Sequence, residues 1–142
     1  MRAVLQRASR AVVRADGVVT ASFERQGIVA LVGVTHGDGP DQVAAMARKI
    51  ADLRILDDEA SVSDIGAPVI VVSQFTLYAD TRKGRRPSWN GAAPGPIAEP
   101  LVEAVVAALR ERGLEVGTGV FQAHMEVDLV NDGPVTLVVE SK

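Results

Sequence analysis

The run Gly27-Ile28-Val29-Ala30-Leu31-Val32-Gly33-Val34 decides how this chain folds. From Ile28 to Val34 it is apolar almost without interruption, which predicts a central strand buried on both faces. Towards the N-terminus, Asp16-Gly17 separates the short apolar runs at residues 11–13 and 18–21, and it predicts a hairpin because a tight turn there needs positive φ. Towards the C-terminus, the loop His36-Gly37-Asp38-Gly39-Pro40 leads into Val43, Met46, Ala47, Ile50 and Leu53, one apolar stripe of an amphipathic helix with Asp41 as its expected N-cap. A polar, acidic connection over residues 57–66 follows, and then Val69-Ile70-Val71-Val72, which is too short for a helix and reads as a second central strand.

Residues 80–96 hold Gly84, Pro87, Gly91, Pro94, Gly95 and Pro96, which breaks regular structure and predicts a long loop. Leu101, Val102, Val105, Val106 and Leu109 mark a second main helix, with Arg110 and Arg112 suited to its negative end and Gly113 stopping it. Met125, Val127 and Leu129 alternate with acidic residues, and Asn131-Asp132-Gly133-Pro134 is expected to turn the chain into a further strand over 135–139. The expected architecture is α/β: a mainly antiparallel, β-barrel-like sheet with two main helices packed on it, in one domain spanning residues 1–142.

Composition excludes several classes of function. With 47% hydrophobic and 23% charged residues the chain is globular and not disordered. Zero cysteines remove disulfides, thiol nucleophiles, iron–sulfur clusters and cysteine zinc sites together, and two histidines leave little for metal, so neither a metal nor a cofactor is expected. No run approaches the roughly 18 apolar residues of a membrane span, and the arginine-bearing N-terminus is unlike a secretory signal, so cytoplasmic residence without a membrane is expected. The net charge of -3 argues against coating nucleic acid by bulk charge, yet Arg82, Lys83, Arg85 and Arg86 form a local basic patch.

Dinucleotide, phosphate-loop and serine-hydrolase motifs are all missing. A triad would need His36, which reads more readily as a surface or turn residue, or His124, which alternates with core positions of a strand. Catalysis is therefore expected to lean on backbone groups and on the substrate. Two stretches can supply such groups. Ser73-Gln74-Phe75-Thr76-Leu77 carries polar side chains at the end of a buried strand, suited to an oxyanion hole of backbone N–H groups or simply to satisfying backbone partners. Gly133-Pro134-Val135-Thr136 reads either as a hairpin turn opening an edge strand or as a Gly-Pro amide in the cis form, which costs only about 0.5–1 kcal/mol and would aim two carbonyls the same way.

Together these two motifs closely resemble those of the D-aminoacyl-tRNA deacylase family, also called D-tyrosyl-tRNA deacylases. The likeness extends from Met1-Arg2-Ala3-Val4-Leu5-Gln6-Arg7 through Ala51-Asp52-Leu53-Arg54-Ile55 and Thr81-Arg82-Lys83-Gly84-Arg85-Arg86-Pro87-Ser88. Two departures stand out: residues 57–64 are shorter than the family's loop and lack its Gly-Lys-Met-Asn-like stretch, and Gln122 stands where the family places glycine after Phe121.

The resemblance implies a homodimer that hydrolyses the ester between a D-amino acid and the terminal adenosine of tRNA, with glycyl-tRNA as a further substrate. It implies that Gly133 and Pro134 of one subunit enter the partner's pocket and occupy the space an L side chain would need, with Arg7 holding that element. The oxyanion is expected at backbone N–H groups around Gln74 and Phe75, with Ser73 and Gln74 shaping the pocket and water attacking with help from the ribose 2'-hydroxyl. Thr136 is either a support or a nucleophile without a visible base. The basic patch at Arg82, Lys83, Arg85 and Arg86 is expected to meet tRNA phosphates or to be a solvated loop, and Trp89 and Tyr78 to stack on a base or to pack. Other readings are a relative tuned to a different misacylated tRNA, and a non-catalytic RNA or protein interaction module that keeps this fold.

Overall fold

A computed structural model describes residues 1–141. Its spine is β1 (Arg2–Ala15), a strand long enough to serve three neighbours. One edge pairs throughout with β6 (Met125–Glu140), from Arg2↔Glu140 to Ala15↔Met125. The other edge pairs first with β3 (Gly27–Gly33) and then, beyond Ala8, with β2 (Val18–Phe23). All of these pairings are antiparallel. β3 then pairs in parallel with β4 (Val69–Ser73), and β4 in parallel with β5 (Val116–Thr118).

The sheet curls until its ends meet. A Cβ on Gly117 of β5 would lie 2.7 Å from the Cβ of Ala21 on β2, so the two outer strands touch where glycine leaves room. The result is a nearly closed barrel with two apolar layers. Ala8, Ala11, Val13, Phe23, Val29, Ile70 and Val72 fill the inside. Leu5, Ile28, Ala30, Val32, Val69 and Val71 face outwards under the helices. Alternate residues of β3 and β4 thus enter different cores, and this double burial is why both strands read as unbroken apolar runs.

The outer layer is covered by α1 (Pro40–Asp52), through Val43, Met46, Ala47 and Ile50, and by α3 (Gly95–Glu111), through Val102, Val105, Val106 and Leu109. The N-cap of α1 is Gly39 and not Asp41. Proline presets the first helical φ and has no N–H to satisfy, so the helix opens at Pro40, and Gln42 Oε1 accepts from the Gly39 N–H at 2.8 Å. Gly95 and Pro96 likewise begin α3 instead of closing the preceding loop. The connection after α1 carries a third, short helix, α2 (Val62–Ile65), capped by the Ser61 hydroxyl, while the Asp64 carboxylate accepts from the Ser61 N–H in return. Those bonds hold the Asp64 carboxyl below its ordinary pKa.

The hairpin forms at Asp16-Gly17, both residues having positive φ. The turn expected at Gly133-Pro134 does not join two strands. Residues on both sides of it pair with β1 in the same direction, and the register jumps from Gln6↔Thr136 to Ala8↔Asn131, so residues 132–135 bulge out of one continuous strand. Turn chemistry is local, and here the long-range pairing with β1 overrides it. The Gly133-Pro134 peptide bond is cis.

Candidate active site

The first motif sits where β4 ends and a 3-10 turn, Phe75–Tyr78, begins. The Gln74 N–H donates to the Val32 carbonyl at 2.8 Å and so stays committed to the sheet. The first N–H groups of such a turn have no acceptor within it, which moves the candidate oxyanion donors one residue on, to Phe75 and Thr76. The Gln74 side-chain amide donates to Thr76 Oγ1 and braces the turn. A Cβ on Gly33 would lie 2.9 Å from the Gln74 carbonyl oxygen, so glycine is what lets β3 lie close beneath the turn.

In front of this turn opens a groove of about 620 Å³, bordered by Ser73, Gln74, Phe75, Trp89, Gln122 and His124. Phe75 and Trp89 meet edge to face at 5.3 Å while remaining 52% and 43% exposed, an apolar lip that faces solvent. A second groove, of about 850 Å³, runs along α3 and shares Ser73, Phe121 and Met125 with the first. His124 precedes β6 and is exposed, so it does not alternate with core residues as expected. His36 ties its loop to the Asn90 carbonyl through Nε2 at 2.8 Å, outside the groove. Tyr78 packs under the Arg2 guanidinium, 4.7 Å from the ring centre, and burial pushes its phenol up to about 12.

The second motif is organised by Arg7, only 14% exposed. Its Nε donates to the Asp132 carbonyl at 2.9 Å and its Nη1 to the Ile55 carbonyl at 3.1 Å. Gly133 has φ +116°, a backbone conformation that favours glycine, and a Cβ there would have to displace the Arg7 guanidinium. Thr136 Oγ1 donates to Gln6 Oε1 at 2.7 Å. Gln6 Nε2 is shared among Asn131 Oδ1, the Arg7 carbonyl and the Val135 carbonyl. The Thr136 proton therefore points at an amide oxygen, which is no base. Gln6 was missing from the sequence-derived site, although an amide side chain directly before Arg7 was its visible signal.

The structure does not bring the two motifs together within one chain. From Thr136 the ladder runs through Gln6 and Val29 to Ile70, and Gln74 lies four residues further along. At about 4.8 Å per strand and 3.3 Å per residue, the separation is on the order of 20 Å.

The basic patch forms a loop closed by paired backbone hydrogen bonds between Asp80 and Ser88, at 2.8 and 2.9 Å. Arg82 is bidentate on Asp80, at 2.9 and 2.6 Å, and those bonds hold the Asp80 carboxyl down at about 2. Lys83, Arg85 and Arg86 are exposed. Lys83 and Arg86, with Arg82, border a depression of about 520 Å³. Among the described residues, no helix is long and apolar enough to cross a membrane.

Comparison with known proteins bears directly on this arrangement. The chain matches the family described as D-Tyr-tRNA(Tyr) deacylase over residues 4–140. A D-aminoacyl-tRNA deacylase of Beutenbergia cavernae is 64% identical over 141 residues, covering 99% of this chain and 100% of that one. One of Thermobifida fusca is 60% identical over 140 residues, covering 99% of each. A solved structure described as c-Myc DNA Unwinding Element Binding Protein superposes with a TM-score of 0.91 at 36% identity, over 100% of this chain and 99% of that one.

Proposed function

The chain belongs to the D-Tyr-tRNA(Tyr) deacylase family, hydrolases that act on D-aminoacyl-tRNA, and from that premise we propose how its two motifs share the work. Water attacks the ester carbonyl, oriented by the substrate's ribose 2'-hydroxyl. The oxyanion that forms is held by the Phe75 and Thr76 N–H groups, with Ser73 and Gln74 shaping the groove. Collapse breaks the bond to the ribose oxygen, which takes up the proton given by the water, and releases amino acid and tRNA. Preorganised N–H donors of this kind are worth about 2.7–4 kcal/mol each in other enzymes. The observation that supports the reading is the turn at Phe75–Tyr78 on the border of the groove, whose leading N–H groups have no acceptor within the turn while the Gln74 N–H remains in the sheet.

Gly133 and Pro134 act as the element that refuses L esters and accepts glycyl-tRNA, which has no side chain to exclude. Because this element lies on the order of 20 Å from Gln74 of the same chain, it works in the groove of a second copy. The outer edge of β6, where Val138 is 69% and Val130 41% exposed, supports that homodimer. Lys83, Arg85 and Arg86 hold tRNA phosphates, with Arg82 fixing the loop through Asp80. Aminoacyl-tRNA as substrate makes the cytoplasm the site of action. The test is Gln74→Ala, which removes the brace on Thr76 and leaves Lys83, Arg85 and Arg86 in place. Hydrolysis is expected to fall at least a hundredfold while tRNA binding stays unchanged. Parallel loss of both would contradict the assignment.

A further inference from the structure

Gln26 lies between β2 and β3, half-buried, and the next residue anchors it. A Cβ on Gly27 would fall 2.4 Å from the Pro68 carbonyl oxygen, so glycine alone allows the chain to press there. The Ile28 N–H donates to the same oxygen at 3.1 Å. From this fixed backbone the Gln26 side chain reaches two segments remote in sequence. Its Nε2 donates to Asp132 Oδ2 at 2.7 Å, and its Oε1 accepts from the Asp57 N–H at 3.0 Å. The partners dictate the orientation of the amide, since a carboxylate only accepts and a backbone N–H only donates.

Arg7 joins the same two segments, through the carbonyls of Ile55 and Asp132. The segment after Asp57 is closed by the Leu56 N–H on the Ala60 carbonyl at 2.9 Å, but its backbone is strained. Asp58 and Glu59 have φ of +60° and +55°, left-handed conformations that a Cβ disfavours. On the other side, Asp132 immediately precedes Gly133. Arg7 fixes the Asp132 backbone and Gln26 fixes its side chain. A bulge held at one point can pivot; held at two, its direction is set.

We propose that Gln26 is a positioning residue for the Gly133–Pro134 bulge and thereby sets how strongly L esters are refused. This rests on the reading of Gly133 and Pro134 as the element that excludes L side chains. Gln26 touches no reacting atom, so its effect falls on discrimination between substrates.

The experiment compares kcat/KM for D-tyrosyl-tRNA and L-tyrosyl-tRNA in the full-length protein carrying Gln26→Ala, Gln26→Glu, Gln26→Glu with Asp132→Asn, or Gly133→Ala. Amide hydrogen exchange at Asp57 is followed in parallel. Gln26→Ala is expected to cut the D-to-L ratio about tenfold, the scale of one hydrogen bond to a charged group, and to speed exchange at Asp57. Gln26→Glu sets a second carboxylate against Asp132 and should do at least as much. The double variant should restore the ratio, because an amide at position 132 can donate to a carboxylate at position 26 that still accepts from Asp57. A general packing defect would not be repaired that way.

An unchanged ratio in Gln26→Ala alongside a relaxed ratio in Gly133→Ala would overturn the role of Gln26 alone. An unchanged ratio in both would remove the underlying reading of Gly133 and Pro134. Failure of the double variant to restore the ratio would also overturn the proposal.

Discussion

Replacing Arg7 by alanine removes two hydrogen bonds from a charged donor to backbone carbonyls, those of Asp132 at 2.9 Å and Ile55 at 3.1 Å. Each such bond is worth about 1.5–3 kcal/mol. The carboxylates of Asp57 and Asp132 stand at 3.7 and 3.8 Å, and Asp57 is 77% exposed, so their ion pairs add little. The expected loss is about 3–6 kcal/mol, which for a domain of this size lowers Tm by roughly 10–20 °C. Arg7→Lys should recover less than half of it, because one ammonium cannot span both carbonyls in the way a planar fork does. Thermal unfolding followed by circular dichroism reads the stability, and the same samples are assayed on D and L esters. Freed from the guanidinium that lies against Gly133, the bulge should also discriminate less. A Tm within about 3 °C of the parent protein, or full recovery in Arg7→Lys, would refute the reasoning.

Four other outcomes follow from the same geometry. Gly117→Val places side-chain atoms where even a Cβ would stand 2.7 Å from Ala21, and it should destabilise the barrel by about 1–3 kcal/mol in urea titrations. The Asp80 carboxyl, held down at about 2 by Arg82, favours the closed loop fully above its ordinary 3.8, and this contribution is lost as pH falls through about 2; carboxyl NMR should show the low midpoint, and Arg82→Ala should return it towards 3.8. Removing Lys83, Arg85 and Arg86 together should weaken tRNA binding and flatten its dependence on log salt by roughly 2–3, an effect read by titration at several salt concentrations. Thr136→Ala should lower turnover without abolishing it, because the hydroxyl bonds to Gln6 and faces no base; trapping of an acyl-Thr136 adduct by mass spectrometry would contradict this.

The parts of the fold that were legible in the sequence are those whose signal is local and strong. Residues 28–34 and 69–72 read as buried strands because alternate side chains enter two cores, and Asp16-Gly17 read as a hairpin because its backbone needs positive φ. The parallel pairing of β3 with β4 was less apparent, although the helix between them is the crossover that parallel strands require. β5 has only three residues, too few for any periodicity. The bulge at residues 132–135 was mistaken for a turn because its chemistry is that of a turn, whereas its pairing is with a strand more than a hundred residues away. Distance in sequence also hid Gln26, whose partners lie 31 and 106 residues off. Resemblance alone pointed to Arg7, and in the structure its guanidinium lies where a Cβ at position 133 would strike it.

Refusal of L esters at the Gly133–Pro134 bulge is a stereochemical property that ester hydrolysis reads out. The purified protein is incubated with D-tyrosyl-tRNA, L-tyrosyl-tRNA and glycyl-tRNA, and loss of each ester is followed over time. Rapid loss of the D and glycyl esters is expected, with the L ester left at its uncatalysed rate. Equal loss of D and L esters, or loss of neither, would contradict this.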